Sequence, residues 1–363
     1  MQWYSPLEDR IHIYGRTVRQ QPLPLFWTGS GVEIDTDGGE VWFEVESAHA
    51  FWEEWIRIEL DGVCIQRFLL EAGRKRICAY RGLPAGVRRT VRLLKEVQPY
   101  AEDPDRYLAV HAIGIDGKLY MAKPKKCRLE FIGDSLTSGE GLSGPKGLTA
   151  WAPATFGLQG HYACLLANWM EADFRILSQS GWGVYCAWDN NVRQNMPAYY
   201  DRVCGIVEGE KNIAMGAQRE NDFSAWQPDV IVVNLGTNDG SAAAQPAWVD
   251  PVTGKAWKLE RGQDGRLLTS SQKKIQDAVV AFLRTLRARN SHAYLLWAYG
   301  MVGSEIRPEL EEAVETYRKE DPRAKFVPLE GMRDEWVGAN CHPNAASHRA
   351  AAKVLLEEIR QFL

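Results

Sequence analysis

Residues 229–235 read DVIVVNL, and few folds can house such a segment. A nearly unbroken β-branched run suits a parallel strand covered on both faces, because it offers no polar side to water. Related pieces surround it. Residues 128–132, 174–177, 293–298 and 325–329 are further short strand candidates. Between them, Tyr162–Met170 carries apolar residues at helical spacing, and Ile275, Val279, Phe282 and Leu286 recur on one helical face. Thr269 and Gln272 have the spacing of a capping box for that helix. Ala345–Ile359 closes the chain as an amphipathic helix. Strands alternating with helices predict an α/β domain with a mainly parallel sheet.

The first third follows a different rhythm. Val41, Phe43 and Val45 alternate with Trp42 and Glu44, and Ile56, Ile58 and Leu60 alternate with Arg57 and Glu59. Period two marks half-buried strands. Asp61-Gly62 after the second run is hairpin chemistry. Residues 91–94 and 108–115 are further candidates, the latter closed by Asp116-Gly117. Several short strands with turn signals predict an all-β sandwich, of jelly-roll type. A chain of 363 residues also exceeds what one core usually organises. Residues 118–126, with Pro124 among lysines, read as the connector. The expected domains are therefore 1–122, a β-sandwich, and 123–363, an α/β unit.

Composition narrows the partners. A formal net charge of −4 gives no reason to expect nucleic acid, and the clusters RKR at 74–76 and KPKK at 123–126 read as solvated faces. No run of about 18 apolar residues is present to span a membrane. The start, MQWYSPLEDR, lacks the pattern of a secretory signal. Seven cysteines without a CxxC pair or zinc spacing read as free thiols in a reducing compartment, which makes a cytoplasmic location the expectation. Fourteen tryptophans are the unusual feature; indole rings fill cores but also stack on sugar faces.

Four motifs carry chemistry. Phe131-Ile132-Gly133-Asp134-Ser135-Leu136-Thr137-Ser138-Gly139-Glu140-Gly141 places a serine on a Gly-flanked turn after a strand, at the sheet edge where ligands bind. Asn234-Leu235-Gly236-Thr237-Asn238-Asp239 follows the buried run, and the Asn238 amide could donate to an oxyanion. Ser178-Gln179-Ser180-Gly181-Trp182-Gly183 follows another strand, and Gly181 could offer a backbone N–H. Asn340-Cys341-His342-Pro343-Asn344 precedes the last helix, with His342 as candidate base. His348 is its rival, but falls inside the helix. Cys341 reads as a small packed residue.

Together these resemble the SGNH, or GDSL, hydrolase superfamily over roughly 128–363. The resemblance implies a flavodoxin-like αβα domain and ester hydrolysis without cofactor or metal. Ser135 matches the nucleophile and His342 the base, while the Ser135 and Gly181 N–H groups and Asn238 match the oxyanion hole. One departure stands out: the aspartate usual three residues before the histidine is Ala339 here. Either a backbone carbonyl or another residue orients His342, or a Ser–His dyad operates; Asp334 and Glu335 are near in sequence. A β-sandwich ahead of this domain, with Gly15-Arg16 and Phe26-Trp27-Thr28-Gly29-Ser30-Gly31-Val32, resembles carbohydrate esterase family 2. That likeness implies deacetylation of plant polysaccharides or oligosaccharides such as xylan and glucomannan.

Three readings follow from the sequence. The first is a carbohydrate O-acetylesterase, with Trp182, Trp188, Trp248, Trp257 and Trp336 as candidate sugar platforms. The second is a lipase- or thioesterase-like enzyme of the same chemistry. The third is a carbohydrate-binding protein that has lost activity. Residues 187–225 and 241–267 lack periodicity, follow strand-end motifs, and are expected on the active-site side.

Overall fold

A computed structural model describes residues 1–363. The N-terminal strands are β1 (Gln2–Tyr4), β2 (His12–Tyr14), β3 (Leu23–Pro24), β4 (Gly31–Thr36), β5 (Val41–Ala48), β6 (Glu54–Leu60), β7 (Val63–Leu70), β8 (Gly73–Tyr80), β9 (Arg89–Lys95), β10 (Tyr107–Ile115) and β11 (Leu119–Tyr120). They form two antiparallel sheets. One runs β1-β10-β5-β8 with β3 also on β10, and the other runs β11-β4-β9-β6-β7 with β2 on β4.

The period-two alternation explains how the sheets stack. Val41, Phe43 and Val45 of one sheet meet Ile56, Ile58, Val91 and Leu93 of the other in a single buried cluster, so the unit is a β-sandwich. Asp61 and Gly62 both take positive φ, at 50° and 82°, and join β6 to β7. Two consecutive left-handed residues match the twist of a tight hairpin. The edge strand β7 (VCIQRFLL) is partly open to water along nearly its whole length, which is why no alternation marks it. The stretch expected as a connector is shorter than it reads. Within it, β11 pairs with β4, and the parallel sheet opens only at Arg128.

The second half contains β12 (Arg128–Gly133), α1 (Ser135–Ser138), α2 (Tyr162–Met170), β13 (Asp173–Ser178), α3 (Glu210–Ala214), β14 (Val230–Asn234) and α4 (Thr237–Ala242). After these come β15 (Trp248–Val249), β16 (Ala256–Trp257), α5 (Thr269–Arg289), β17 (Tyr294–Tyr299), α6 (Arg307–Arg318), β18 (Ala324–Pro328) and α7 (Ala345–Ile359). Five strands make a parallel sheet in the order β13-β12-β14-β17-β18, the flavodoxin-like arrangement. Val230 and Val232 face the layer of α2 and α7, while Ile231 and Val233 face α5 and α6. Both faces are buried, so Val230–Val233 of β14 are all apolar, and only Asn234, at the carboxyl end of the strand, is polar.

Two elements differ from expectation. Helix α5 has no capping box: Leu268 holds the N-cap position without a side-chain bond, and Thr269 is already helical. The Ser271 hydroxyl instead accepts the Glu260 N–H at 2.8 Å. Helix α6 is an addition to the expected elements, although Leu310, Ala313, Val314 and Tyr317 have helical spacing and are buried.

The two units share a buried seam. Arg16, 1% exposed, pairs with Glu130 at 3.1 Å and donates to the carbonyls of Tyr200 and Arg202. The Tyr200 hydroxyl donates to Glu130 at 2.7 Å, and the Trp27 indole N–H donates to the Val203 carbonyl at 2.7 Å. Much of the 187–225 segment therefore fastens the domains together and does not line the active site. No helix is long and apolar enough to cross a membrane.

Candidate active site

Ser135 and Asn238 follow β12 and β14, neighbours in the sheet. The chain reverses strand order there, leaving a crevice at the carboxyl edge. Gly133 ends β12 because a Cβ there would sit 2.0 Å from Thr137 Oγ1. Asp134 caps α1 by accepting the Leu136 N–H at 3.0 Å, which fixes Ser135 at the first position of that turn. Burial pushes the Asp134 carboxyl up to about 7; the Leu136 N–H opposes the rise, and Asp239 and Glu140 add to it.

His342 Nε2 lies 2.9 Å from Ser135 Oγ. Its Nδ1 lies 2.7 Å from the carbonyl oxygen of Asn340. A carbonyl can only accept, so Nδ1 carries the proton and Nε2 is left to accept from the serine hydroxyl. The carbonyl reaches the ring because Asn340 and Cys341 both take left-handed φ, 49° and 57°. This backbone group does the orienting that an aspartate at position 339 would do; Ala339 itself accepts the His342 N–H at 3.0 Å and donates its own N–H to Gly141 O at 2.9 Å. Gly141 passes beneath this turn, where a Cβ would meet Ala339 O at 2.4 Å and His342 Cβ at 2.6 Å.

The other sequence candidates are placed elsewhere. His348 is buried in α7, accepts the Tyr162 N–H at 3.3 Å, and is held well below the usual histidine range by burial. Asp334 pairs with Lys146 at 2.5 Å, and neither it nor Glu335 bonds to the ring. Cys341 is exposed, not packed, because the left-handed turn that aims the Asn340 carbonyl carries its side chain outward.

Around the nucleophile, the N–H groups of Ser135 and Gly181 have no intramolecular acceptor. The Asn238 amide donates to Trp182 O at 2.9 Å and to Asp134 Oδ2 at 3.3 Å, which gathers the serine turn, the 181–183 loop and α4. Asp239 tightens the same assembly. Its carboxylate accepts the N–H groups of Val184 (2.9 Å), Tyr185 (2.7 Å) and Cys186 (3.1 Å). A Cβ at Gly183 would meet that carboxylate at 2.2 Å, so the Gly-Trp-Gly loop can close only with glycine there.

Several participants carry no catalytic signal in the sequence. Gln98 of the N-terminal domain accepts from Ser138 Oγ (2.6 Å) and Ser180 N (2.8 Å). Glu140 accepts from Asn340 Nδ2 (2.8 Å) and Ser180 Oγ (2.7 Å), and its Oε1 is 3.7 Å from His342 Nδ1. Both acids, Glu140 and Asp239, lie inside the strand-end motifs, where they read as turn residues.

Aromatic side chains also gather beside the site. A cavity of about 240 Å³ beside Ser180 is lined by Trp52, Tyr100, Trp151, Gln98, Gln179 and Glu102. The Trp52 and Trp151 rings meet edge-on at 4.5 Å, and Tyr100 and Trp151 at 5.3 Å. None of the five expected tryptophans lines this cavity. Trp182 is buried against Tyr199 at 5.0 Å. Trp188 is exposed beside Gly181, whose carbonyl accepts its N–H at 2.9 Å. Trp248 and Trp257 face each other in the β15–β16 hairpin, with Lys255 over Trp257 at 3.9 Å. Trp336 lies under Arg333 at 4.5 Å.

Residues 131–350, more than half of the chain, match the GDSL-like Lipase/Acylhydrolase family. The solved structure of an acetyl xylan esterase from the rumen bacterium Butyrivibrio proteoclasticus is 37% identical, with a TM-score of 0.97 over 99% of this chain and 98% of that one. A family two carbohydrate esterase from Clostridium thermocellum, solved with cellohexaose, shares the fold at 22% identity, with a TM-score of 0.80 over 97% of this chain and 98% of that one. Among curated relatives, the cellulase/esterase CelE of Acetivibrio thermocellus is 29% identical over 60% of this chain, which spans only 25% of that protein. An acetylxylan esterase / glucomannan deacetylase of Cellvibrio japonicus is 20% identical over 98% of this chain and 90% of its own length. The chain thus belongs to the GDSL-like lipase/acylhydrolase family of carboxylic-ester hydrolases, and its two-domain fold is that of the family two carbohydrate esterases.

Proposed function

We propose that the protein removes acetyl groups from acetylated oligosaccharides or polysaccharides of the xylan and mannan or glucomannan type. The observation that carries this reading is the 2.9 Å approach of His342 Nε2 to Ser135 Oγ across 207 residues of chain. Ser135 Oγ attacks the acetyl carbonyl while His342 Nε2 takes its proton. The oxyanion that forms is met by the Ser135 and Gly181 N–H groups, with the Asn238 amide as third donor when it exchanges its 3.3 Å bond to Asp134 for the oxyanion. Collapse breaks the ester C–O bond, and the sugar oxygen leaves with the proton from His342. Water then attacks the acetyl-serine, gives its proton to His342, and acetate departs as the serine is restored.

The substrate class follows from the surroundings. Aromatic rings beside amide and carboxylate side chains, as in the Trp52, Tyr100 and Trp151 cavity, suit the mixed polar and apolar faces of a sugar better than an acyl chain. A lipase-like role would need an extended apolar groove. Acetate release from acetylated xylo- and manno-oligosaccharides is the test, with p-nitrophenyl esters of increasing chain length alongside. Faster turnover of the decanoate than the acetate would overturn the assignment.

We also propose a cytoplasmic setting, where soluble oligosaccharides would be the available form. All seven cysteines are free thiols, which suits a reducing compartment. Recovery of the native enzyme from the extracellular fraction would contradict it.

A further inference from the structure

We propose that Glu140 is the acidic positioning residue of this site, replacing the usual aspartate by a route through Asn340 and Ser180. The role depends on the Ser135–His342 reading above. Glu140 is 2% exposed, and no lysine or arginine pairs with it. A carboxylate buried without a cation is costly unless its oxygens are fully used. Here each oxygen holds one half of the catalytic apparatus. Oε1 accepts from the side chain of Asn340, whose own carbonyl orients the His342 ring, and Oε2 accepts from Ser180, the residue before Gly181.

The arrangement has two consequences. First, Asn340 takes a left-handed backbone that asparagine tolerates better than most residues, and its side-chain bond to Glu140 and its N–H bond to Leu148 O together anchor it. Secondly, Glu140 Oε1 stands 3.7 Å from Nδ1, close enough to favour the imidazolium that forms when Ser135 loses its proton. Other groups facing the pair are Asp134 of the serine turn, Tyr100 of the N-terminal domain, His348 of α7 and the flanking Cys341. None of these supplies a positive charge that would cancel the carboxylate near neutral pH; burial keeps His348 neutral.

The test uses p-nitrophenyl acetate hydrolysis across pH with the full chain. Glu140→Gln keeps the shape and removes the charge. Its kcat should fall about 10- to 100-fold, less than the roughly 100- to 10,000-fold that an acid–base group itself supplies, with KM unchanged and the acid limb of kcat/KM moved to lower pH. Glu140→Asp should return that limb toward wild type. Asn340→Gly tolerates the left-handed backbone but loses the amide, so it should lower kcat in a folded protein even if Glu140→Gln misfolds. The double variant should be no worse than the worse single, since both break one linkage. An unchanged profile in folded Glu140→Gln, or fully additive losses, would overturn the role of Glu140 while a dead Ser135→Ala leaves the dyad standing. Full activity in Ser135→Ala would sink both.

Discussion

Carboxylates are buried in two parts of this molecule, and their partners differ. In the N-terminal domain and along the seam, most sit against cations, and Asp103, held by the Ala50, Phe51 and Trp52 N–H groups, is an exception. Glu33 meets Arg92 and Lys125, Glu54 meets Lys95 and Arg106, Glu96 meets Arg57 and Arg67, and Glu130 meets Arg16. In the catalytic crevice, Asp134, Asp239 and Glu140 face neutral N–H and O–H donors. The first arrangement spends its charge within the fold. The second leaves negative charge uncancelled beside a histidine that becomes cationic during turnover. Changes in the first region should therefore be read in stability, and changes in the second in rate.

The largest separation of the two should come from Asn238→Ala, which removes an oxyanion donor. Its kcat should drop about 100- to 1,000-fold with the melting transition nearly unmoved; a normal kcat would remove Asn238 from the mechanism. Glu33→Gln is the mirror experiment. Breaking a buried pair from one side costs about 3 kcal/mol, so urea denaturation should show a large loss while kcat stays at the wild-type value. A stable Glu33→Gln, or one that loses activity while folded, would break the comparison. Trp151→Ala should raise KM for acetylated oligosaccharides about tenfold, as loss of an aromatic contact typically does, and leave p-nitrophenyl acetate unaffected. Equal effects on both substrates would deny the cavity its sugar.

The last contrast concerns pH, where the two regions should show opposite signs. Burial alone would raise the Glu33 carboxyl, but Arg92 and Lys125 outweigh it and hold it at about 2, below its ordinary 4.5. A depressed carboxyl contributes stability above its unfolded value, and this is lost as pH falls from 4.5 toward 2. Asp134 is the reverse. Raised from 3.8 to about 7 by burial, it contributes most below 3.8, and that contribution fades as pH rises through 7. Asp134→Asn should therefore gain stability relative to wild type between pH 4 and pH 8, whereas the deficit of Glu33→Gln should shrink below about pH 4.5. Denaturation midpoints that shift in parallel across pH would contradict both assignments.

Much of the catalytic domain is legible because its constraints are local. Burial on both faces forces Val230–Val233 of β14 to be continuously apolar, and Asn344 caps α7 one residue before Ala345. Ser135, Gly181 and Asn238 can be found because each follows a strand. What orients His342 could not be read, since it is a main-chain carbonyl aimed by two left-handed residues, and asparagine followed by cysteine is too weak a signature of that conformation. Trp52, Tyr100 and Trp151 escape for another reason: they come from distant segments and meet only when the sandwich docks on the parallel sheet. Gln98 has no motif at all, and its importance lies in the two hydrogen bonds it accepts across the seam, from Ser138 Oγ and Ser180 N.

The most direct test of the account is covalent. Wild-type protein should be mixed with p-nitrophenyl acetate, quenched in acid during turnover, and mapped by peptide mass spectrometry. The expected result is a single acetyl group on the peptide bearing Ser135, absent from the Ser135→Ala variant, which should also release no acetate from acetylated oligosaccharides. An acetyl group on another residue, or acetate release undiminished in Ser135→Ala, would contradict it.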